Sequence, residues 1–274
     1  MPSGDQTMTP PASRWRRFKQ RGREVLDYRR REWAAYASCY TKTAPVDQAR
    51  VVIFAQGRTG STLLESLLAS SGYFDLNGEL LNTSQGEALS PARFIRGLAR
   101  RHPGNFIFHV KVYQLTRDRK HAVDPNRFLS TLHNEGWKII YLRRENKIKH
   151  ALSNIVAETR GRYHKQDDDH ERIKLRIDLD DFVRAVNERI AFEEHEQQVL
   201  SDLPRHQVCY ETDLEPPDAQ QATCNALFDF LGLEPRRVST SHRKVNTTPL
   251  PELIANYDDV IRRAREHNWD HFLK

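Results

Sequence analysis

The sequence predicts an α/β protein of three layers, a mostly parallel central sheet flanked by helices, on three observations. From residue 51 onward, short apolar runs alternate with segments of helical periodicity, the pattern of successive βαβ units. The first run, Val51-Val52-Ile53-Phe54-Ala55, is apolar throughout, as a strand covered on both faces has to be. The chain of 274 residues, 38% hydrophobic and 29% charged, suffices for one large core.

Residues 1–13, rich in Pro, Ser and Thr, predict a lead without fixed structure. Trp15, Phe18, Gly22, Val25, Leu26, Trp33 and Tyr36 then recur at roughly helical spacing, an amphipathic helix. We read 1–44 as lead plus basic helix, and 45–274 as a single domain. The chain carries 43 Lys/Arg against 37 Asp/Glu; Arg14 to Arg31 holds nine of the former and two of the latter, leaving 34 against 35 elsewhere. The basicity therefore belongs to the helix, which argues against a nucleic-acid partner. Its arginines either sit in water while it packs on the body, or meet an anionic membrane surface or acidic partner through 14–36. No apolar run reaches the length of a membrane span and the N-terminus lacks a secretory apolar core, so a cytoplasmic location is expected. Cys39, Cys209 and Cys224 are too few and too far apart for a disulfide framework or a four-cysteine metal site.

Further strands are expected at 106–112, 138–142 and 207–210, with helices after Gly60 to about Ser71 and near 145–158, 180–201 and 218–231. The polar tract from Thr159 to Arg176, with Asp167-Asp168-Asp169, reads as a charged loop or a lid.

Between the first strand and its helix stands Ala55-Gln56-Gly57-Arg58-Thr59-Gly60-Ser61-Thr62-Leu63. Free N–H groups at the helix start, the helix dipole and three hydroxyls converge there, and Gly60 lets the backbone approach an anion closely. A nucleotide P-loop of the ATP or GTP type needs a Lys after its last glycine; here the cation comes earlier, as Arg58. This arrangement resembles the 5'-phosphosulfate loop of sulfotransferases that use PAPS (3'-phosphoadenosine-5'-phosphosulfate), whose donor-binding residues would here be Arg58, Thr59, Gly60, Ser61, Thr62 and Leu63.

A second segment, Lys138 to Lys147 followed by Ser153, runs from a strand into a helix with Arg143 and Arg144 at the junction. Asn146, Lys149 and Ser153 share one helix face and Ile148, Leu152 and Ile155 the other. It resembles the segment with which sulfotransferases hold the 3'-phosphate, through an Arg at the strand end and a Ser in the helix; Arg143 or Arg144 would be that Arg and Ser153 that Ser. Asn77-Gly78-Glu79-Leu80 resembles the Gly-Glu segment of the bacterial nodulation-factor and trehalose-type carbohydrate sulfotransferases, which makes Glu79 the expected catalytic base. His109, in Phe108-His109-Val110-Lys111, is its rival, and alternation puts His109 and Lys111 on one strand face. Cys209-Tyr210-Glu211-Thr212-Asp213-Leu214 resembles the family's Tyr-Glu-Asp-Leu strand with one residue inserted before Asp213, and is expected to close the core. Arg243 and Lys244 resemble the segment that returns over the nucleotide.

The resemblance, spanning 51 to about 260, implies a P-loop NTPase-like sulfotransferase fold. It also implies transfer of a sulfuryl group from PAPS to a carbohydrate or glycolipid hydroxyl, giving PAP (3'-phosphoadenosine-5'-phosphate), with Arg58 near the leaving oxygen and no metal. Two other readings compete: a kinase using ATP, disfavoured by the missing lysine, and a non-catalytic nucleotide- or membrane-binding protein.

Overall fold

A computed structural model describes residues 12–43, 45, 47–84, 86–163, 174–240 and 249–273, with side chains described from Val25 onward and not for 160–163. Arg243, Lys244 and the Asp167 to Asp169 tract lie outside the described residues.

Four parallel strands, β1 (Arg50–Ala55), β2 (Phe106–Val110), β3 (Lys138–Arg143) and β4 (Arg205–Cys209), form one sheet in the order β2-β1-β3-β4. Val52 sits opposite both Phe108 and Ile139, which fixes the register of the central pair. Each crossover is helical: α2 (Ser61–Ser70) and α3 (Pro91–Arg101) join β1 to β2. The short α4 (Val112–Leu115) and α5 (Pro125–Asn134) lead to β3, and α6 (Lys147–Tyr163) and α7 (Leu179–Val199) lead to β4. After β4, a wide helical turn over Tyr210–Leu214 leads to α8 (Ala219–Leu231); α9 (Leu250–Leu253) and α10 (Tyr257–Glu266) follow.

Strand alternation divides the core into layers. Val52, Phe54, Phe106, Phe108, Ile139 and Tyr141 face α3, α5 and the helix α1 (Ala12–Thr41), while Val51, Ile53, Ile107, Ile140 and Leu142 face α2 and α8. A third cluster joins Ile148 and Leu152 of α6 to Phe182 and Val186 of α7 and Val260 and Ala264 of α10. The expected three-layer α/β class with a parallel sheet is what the chain forms.

Three local expectations are corrected. β2 ends at Val110, because Lys111 is already the cap of α4. β4 runs 205–209, and the extra residue before Asp213 is absorbed by the wide turn, where Glu215 N–H donates to Tyr210 O (2.8 Å), a five-residue step.

The third correction concerns α1. Its packing face is Tyr28, Ala35 and the buried Glu32; of the spacing-derived face, Tyr36 packs inward beside them while Val25, Leu26 and Trp33 are exposed. Hydropathy hides the true face because a carboxylate sits in its middle. Glu32 accepts from Arg29 Nη1 (2.6 Å), Tyr36 Oη (2.6 Å) and Leu89 N–H (2.7 Å), so its burial leaves no unmet demand. The two helices touch where Gly97 of α3 meets Ala35: a Cβ at Gly97 would lie 1.9 Å from Ala35 O. Gly97→Ala is expected to destabilise the chain by about 1–3 kcal/mol through forced separation of α1 and α3, read by denaturant unfolding; an unchanged midpoint would disprove the contact.

Candidate anion-binding and transfer site

The strand order reverses between β1 and β3, and the carboxyl ends of these two strands border the crevice where open α/β sheets bind ligands. β1 delivers the chain into Gln56–Gly60 there, and β3 delivers Arg143 and Arg144.

The loop turns through two left-handed residues, Arg58 (φ 68°) and Gly60 (φ 91°). The non-glycine one costs about 1 kcal/mol. Gly60 is required twice over, since a Cβ would also stand 2.7 Å from Tyr210 Cδ2. It gives α2 no side-chain cap, and the first turn of α2 has no acidic residue. The first ladder bond is Leu64 N–H to Gly60 O (2.9 Å), so the N–H groups of Ser61, Thr62 and Leu63 precede the ladder and face the anion-attracting end of the dipole. Thr59 does not join the outward hydroxyls: it is buried, and its Oγ1 donates to Gln56 O (2.7 Å) as a brace of the loop itself.

The start of the loop is clamped from several elements. Gly57 N–H donates to Tyr113 Oη of α4 (3.1 Å), and His150 Nε2 of α6 donates to Gly57 O (2.7 Å). Gln56 Nε2 donates to Glu196 Oε2 and to Arg189 O of α7 (both 3.2 Å), and Tyr141 Oη of β3 donates to the same Glu196 oxygen (3.2 Å). Burial and then the Arg189 charge push the His150 imidazole well below its ordinary range, so it is neutral and carries its proton on Nε2. Burial pushes the Glu196 carboxyl up to about 8, against the opposing hydrogen bonds of Gln56 and Tyr141.

Around the loop, Arg58 Nε donates to Ser153 Oγ (3.4 Å) and Arg144 Nη1 donates to Arg58 O (3.3 Å), so these three residues stand together. Arg143 turns away toward Glu145 and Glu193. Arg144 is held by Glu211 (Nε to Oε1, 3.1 Å) and lies over the Tyr210 ring, 4.7 Å from its centroid. Glu211 also accepts from the N–H groups of Glu145 (2.9 Å) and Asn146 (3.3 Å), closing the start of α6. Burial raises its carboxyl, but these N–H donors and Arg144 outweigh that and hold it below the usual range. The Tyr210–Leu214 turn, expected only to close the core, thus places Tyr210 and Glu211 at the site.

Across the loop, Glu79 pairs with Lys111: Oε1 to Nζ is 2.6 Å, while Oε2 accepts from Gln114 Nε2 (2.6 Å). Lys111 reaches the loop, its Nζ 3.5 Å from where a Gly57 Cβ would stand. Burial raises the Glu79 carboxyl, yet the hydrogen bond and charge of Lys111, with His109 and Gln114, hold it below its ordinary value. His109 lies deeper. It is buried and faces Glu65 (3.3 Å), whose other oxygen accepts from the N–H groups of Asn77 and Gly78 (both 2.8 Å). Burial lowers its imidazole despite Glu65 and Glu79. The His109–Glu65 pair thereby supports the turn that carries Glu79.

Tyr113, His150, the Gln56–Glu196 pair and Glu211 are residues that sequence reasoning did not assign to the site. Gln56 and Glu211 stand in segments that the sequence singled out, the loop and the Tyr-Glu-Asp-Leu-like segment, without a role at the site being read for them. A groove of about 400 Å³ lies between α6 and α7, lined by Asn154, Glu158, Thr159, Asp181, Arg184 and Glu188 among others. Glu188 ties it to the centre through Arg117, which lies over the Tyr113 ring (5.5 Å). Among the described residues, no three His, Cys, Asp or Glu are grouped to hold a metal ion.

Fold and site together define an α/β protein with a candidate anion-binding crevice at the switch point of its sheet. No family model and no curated protein matches the chain. Among solved structures, it is similar to the sulfotransferase domain from the curacin biosynthetic pathway, with 15% identity, a TM-score of 0.44, and coverage of 83% of this chain and 99% of that one. It is also similar to a sulfotransferase from Alicyclobacillus acidocaldarius, with 15% identity, a TM-score of 0.43, and coverage of 80% and 95%.

Proposed function

We propose that the protein transfers a sulfuryl group from PAPS to a hydroxyl of a carbohydrate or glycolipid. The observation that carries this reading is one cluster at the switch point: Arg58, Arg144 and Ser153 on one side of a phosphate-type loop, and the Glu79–Lys111 pair on the other. The residues fit the donor. The N–H groups at the start of α2 and the hydroxyls of Ser61 and Thr62 suit its 5'-phosphosulfate, and Arg144 with Ser153 suits its 3'-phosphate.

PAPS supplies a sulfuryl group on a good leaving oxygen. The acceptor oxygen forms a bond to sulfur in line as the bond from sulfur to the 5'-phosphate oxygen breaks, and the acceptor proton passes to Glu79. Arg58 offsets the charge gathering on the leaving oxygen. Lys111 has a double task. Bonded to Glu79, it keeps that carboxylate ionised; drawn toward the sulfonate, it frees Oε1 to take the proton. The polar groove between α6 and α7 offers donors and acceptors suited to a polyhydroxyl acceptor.

Calorimetric titration without metal tests the donor half. PAP is expected to bind at micromolar or lower Kd, ADP far more weakly, and Arg144→Ala to weaken PAP by about 30-fold or more, the loss of a charged phosphate contact. Equal affinity for ATP, or binding only with magnesium, would replace this reading with a kinase.

A further inference from the structure

Among the described residues, six large apolar side chains are exposed, and four of them lie on α1: Val25 (49%), Leu26 (60%), Trp33 (62%) and Tyr40 (77%). A fifth, Leu89, belongs to the segment whose N–H donates to Glu32 of the same helix. Leu26, Trp33 and Tyr40 are spaced by seven, so they form one stripe two turns apart. Tyr28, Glu32, Ala35 and Ser38 occupy the buried side. The helix is therefore apolar twice, once toward α3 and once toward solvent, and its inward face is already satisfied.

The charges beside the outward stripe indicate what covers it. Arg30 is exposed and Arg29 half-exposed, and Arg14 to Arg31 holds nine Lys/Arg against two acidic residues. A second copy of the chain docked stripe to stripe would bring two such cationic helices together, which like-charge repulsion opposes. An anionic lipid surface reverses the sign. Trp and Tyr side chains settle at headgroup depth, apolar neighbours enter the acyl boundary, and arginines meet the phosphates.

We propose that the outward stripe of α1 docks the protein on an anionic membrane surface, with Leu26, Trp33 and Tyr40 entering the interface. This inference is independent of the transfer chemistry, because it is read by partition alone. The test is sedimentation of the full chain with vesicles of phosphatidylcholine, alone or mixed with phosphatidylglycerol. Wild type is expected to pellet with the mixed vesicles and not with the neutral ones, and to be released by high salt. The double substitution Leu26→Ser/Trp33→Ser is expected to weaken partition by about tenfold or more. Wild type left in the supernatant, or a folded double variant that pellets equally, overturns the proposal. So does a dimer in vesicle-free solution that the double variant abolishes, which would assign the stripe to self-association. Should the double variant not fold, fluorescence quenching by brominated phosphatidylglycerol decides: less quenching in Trp33→Tyr supports docking, and unchanged quenching overturns it.

Discussion

Glu79→Gln is expected to lower kcat by about 10²- to 10⁴-fold, the usual worth of a positioned general base, while PAP affinity stays within about threefold. The amide keeps the size of the side chain and one acceptor oxygen for Gln114, but it gives up both proton acceptance and the ion pair with Lys111. The pH profile follows from the sign of the Glu79 shift. Its net displacement is downward, so the ionised form that accepts a proton is present at neutrality and disappears only as pH falls below the ordinary carboxylate range. kcat/KM should therefore show no carboxylate limb between about pH 5 and 7. His109→Asn serves as the contrast. With its ring buried against Glu65, its loss should reduce stability more than kcat. A Glu79→Gln enzyme of near-normal kcat, or a His109→Asn enzyme with the larger kcat defect, would transfer the role of base to His109.

Glu196→Gln is expected to stabilise the protein on the alkaline side. The folded-state value of about 8 stands above the unfolded 4.5, so the folded chain holds a proton that the unfolded chain has released across that interval. Stability then falls as pH rises through it, by on the order of 5 kcal/mol in total at about 1.4 kcal/mol per pH unit. His150 acts in the opposite sense. Its folded value is depressed, so its contribution is full above its ordinary range and is lost as pH falls. Together they place maximal stability on the slightly acid side of neutrality. Glutamine at 196 keeps a carbonyl oxygen for Gln56 and Tyr141 and has no charge to bury. Thermal unfolding of both chains should nearly agree near pH 5 and diverge by about ten degrees near pH 9; parallel curves would show that Glu196 is ionised in the fold.

Much of the architecture was legible because buried parallel strands write themselves as unbroken apolar runs. Val51 to Ala55 and Ile139 to Leu142 are such runs, and they carry the loop and the arginines at their ends. α3, α5 and α10 were missed: they are short and arginine-containing, and each buries only a few residues, such as Phe94 and Ile95 or Phe128 and Leu129. Arg58, Glu79, Lys111, Arg144 and Ser153 could be proposed because each belongs to a local segment with a recognisable pattern. Glu196 could not, and Glu211, though it stands in the segment that resembles Tyr-Glu-Asp-Leu, was expected only to close the core. Glu211 reaches Arg144 across 67 positions and Glu196 reaches Gln56 across 140, and nothing in either neighbourhood points to its distant partner. Thr59 illustrates the reverse, a hydroxyl whose type fits an anion loop but whose proton goes to the loop's own backbone.

The clamps on Gln56 and Gly57 come from β3, α4, α6 and α7, all of which are made after the loop itself. A nascent or partly opened chain can contain the loop sequence without containing the cradle. On the proposed function, occupancy and assembly therefore belong to one linked equilibrium: an anion taken into the crevice would be bound by the completed fold, and each bound molecule would withdraw a chain from the population able to unfold.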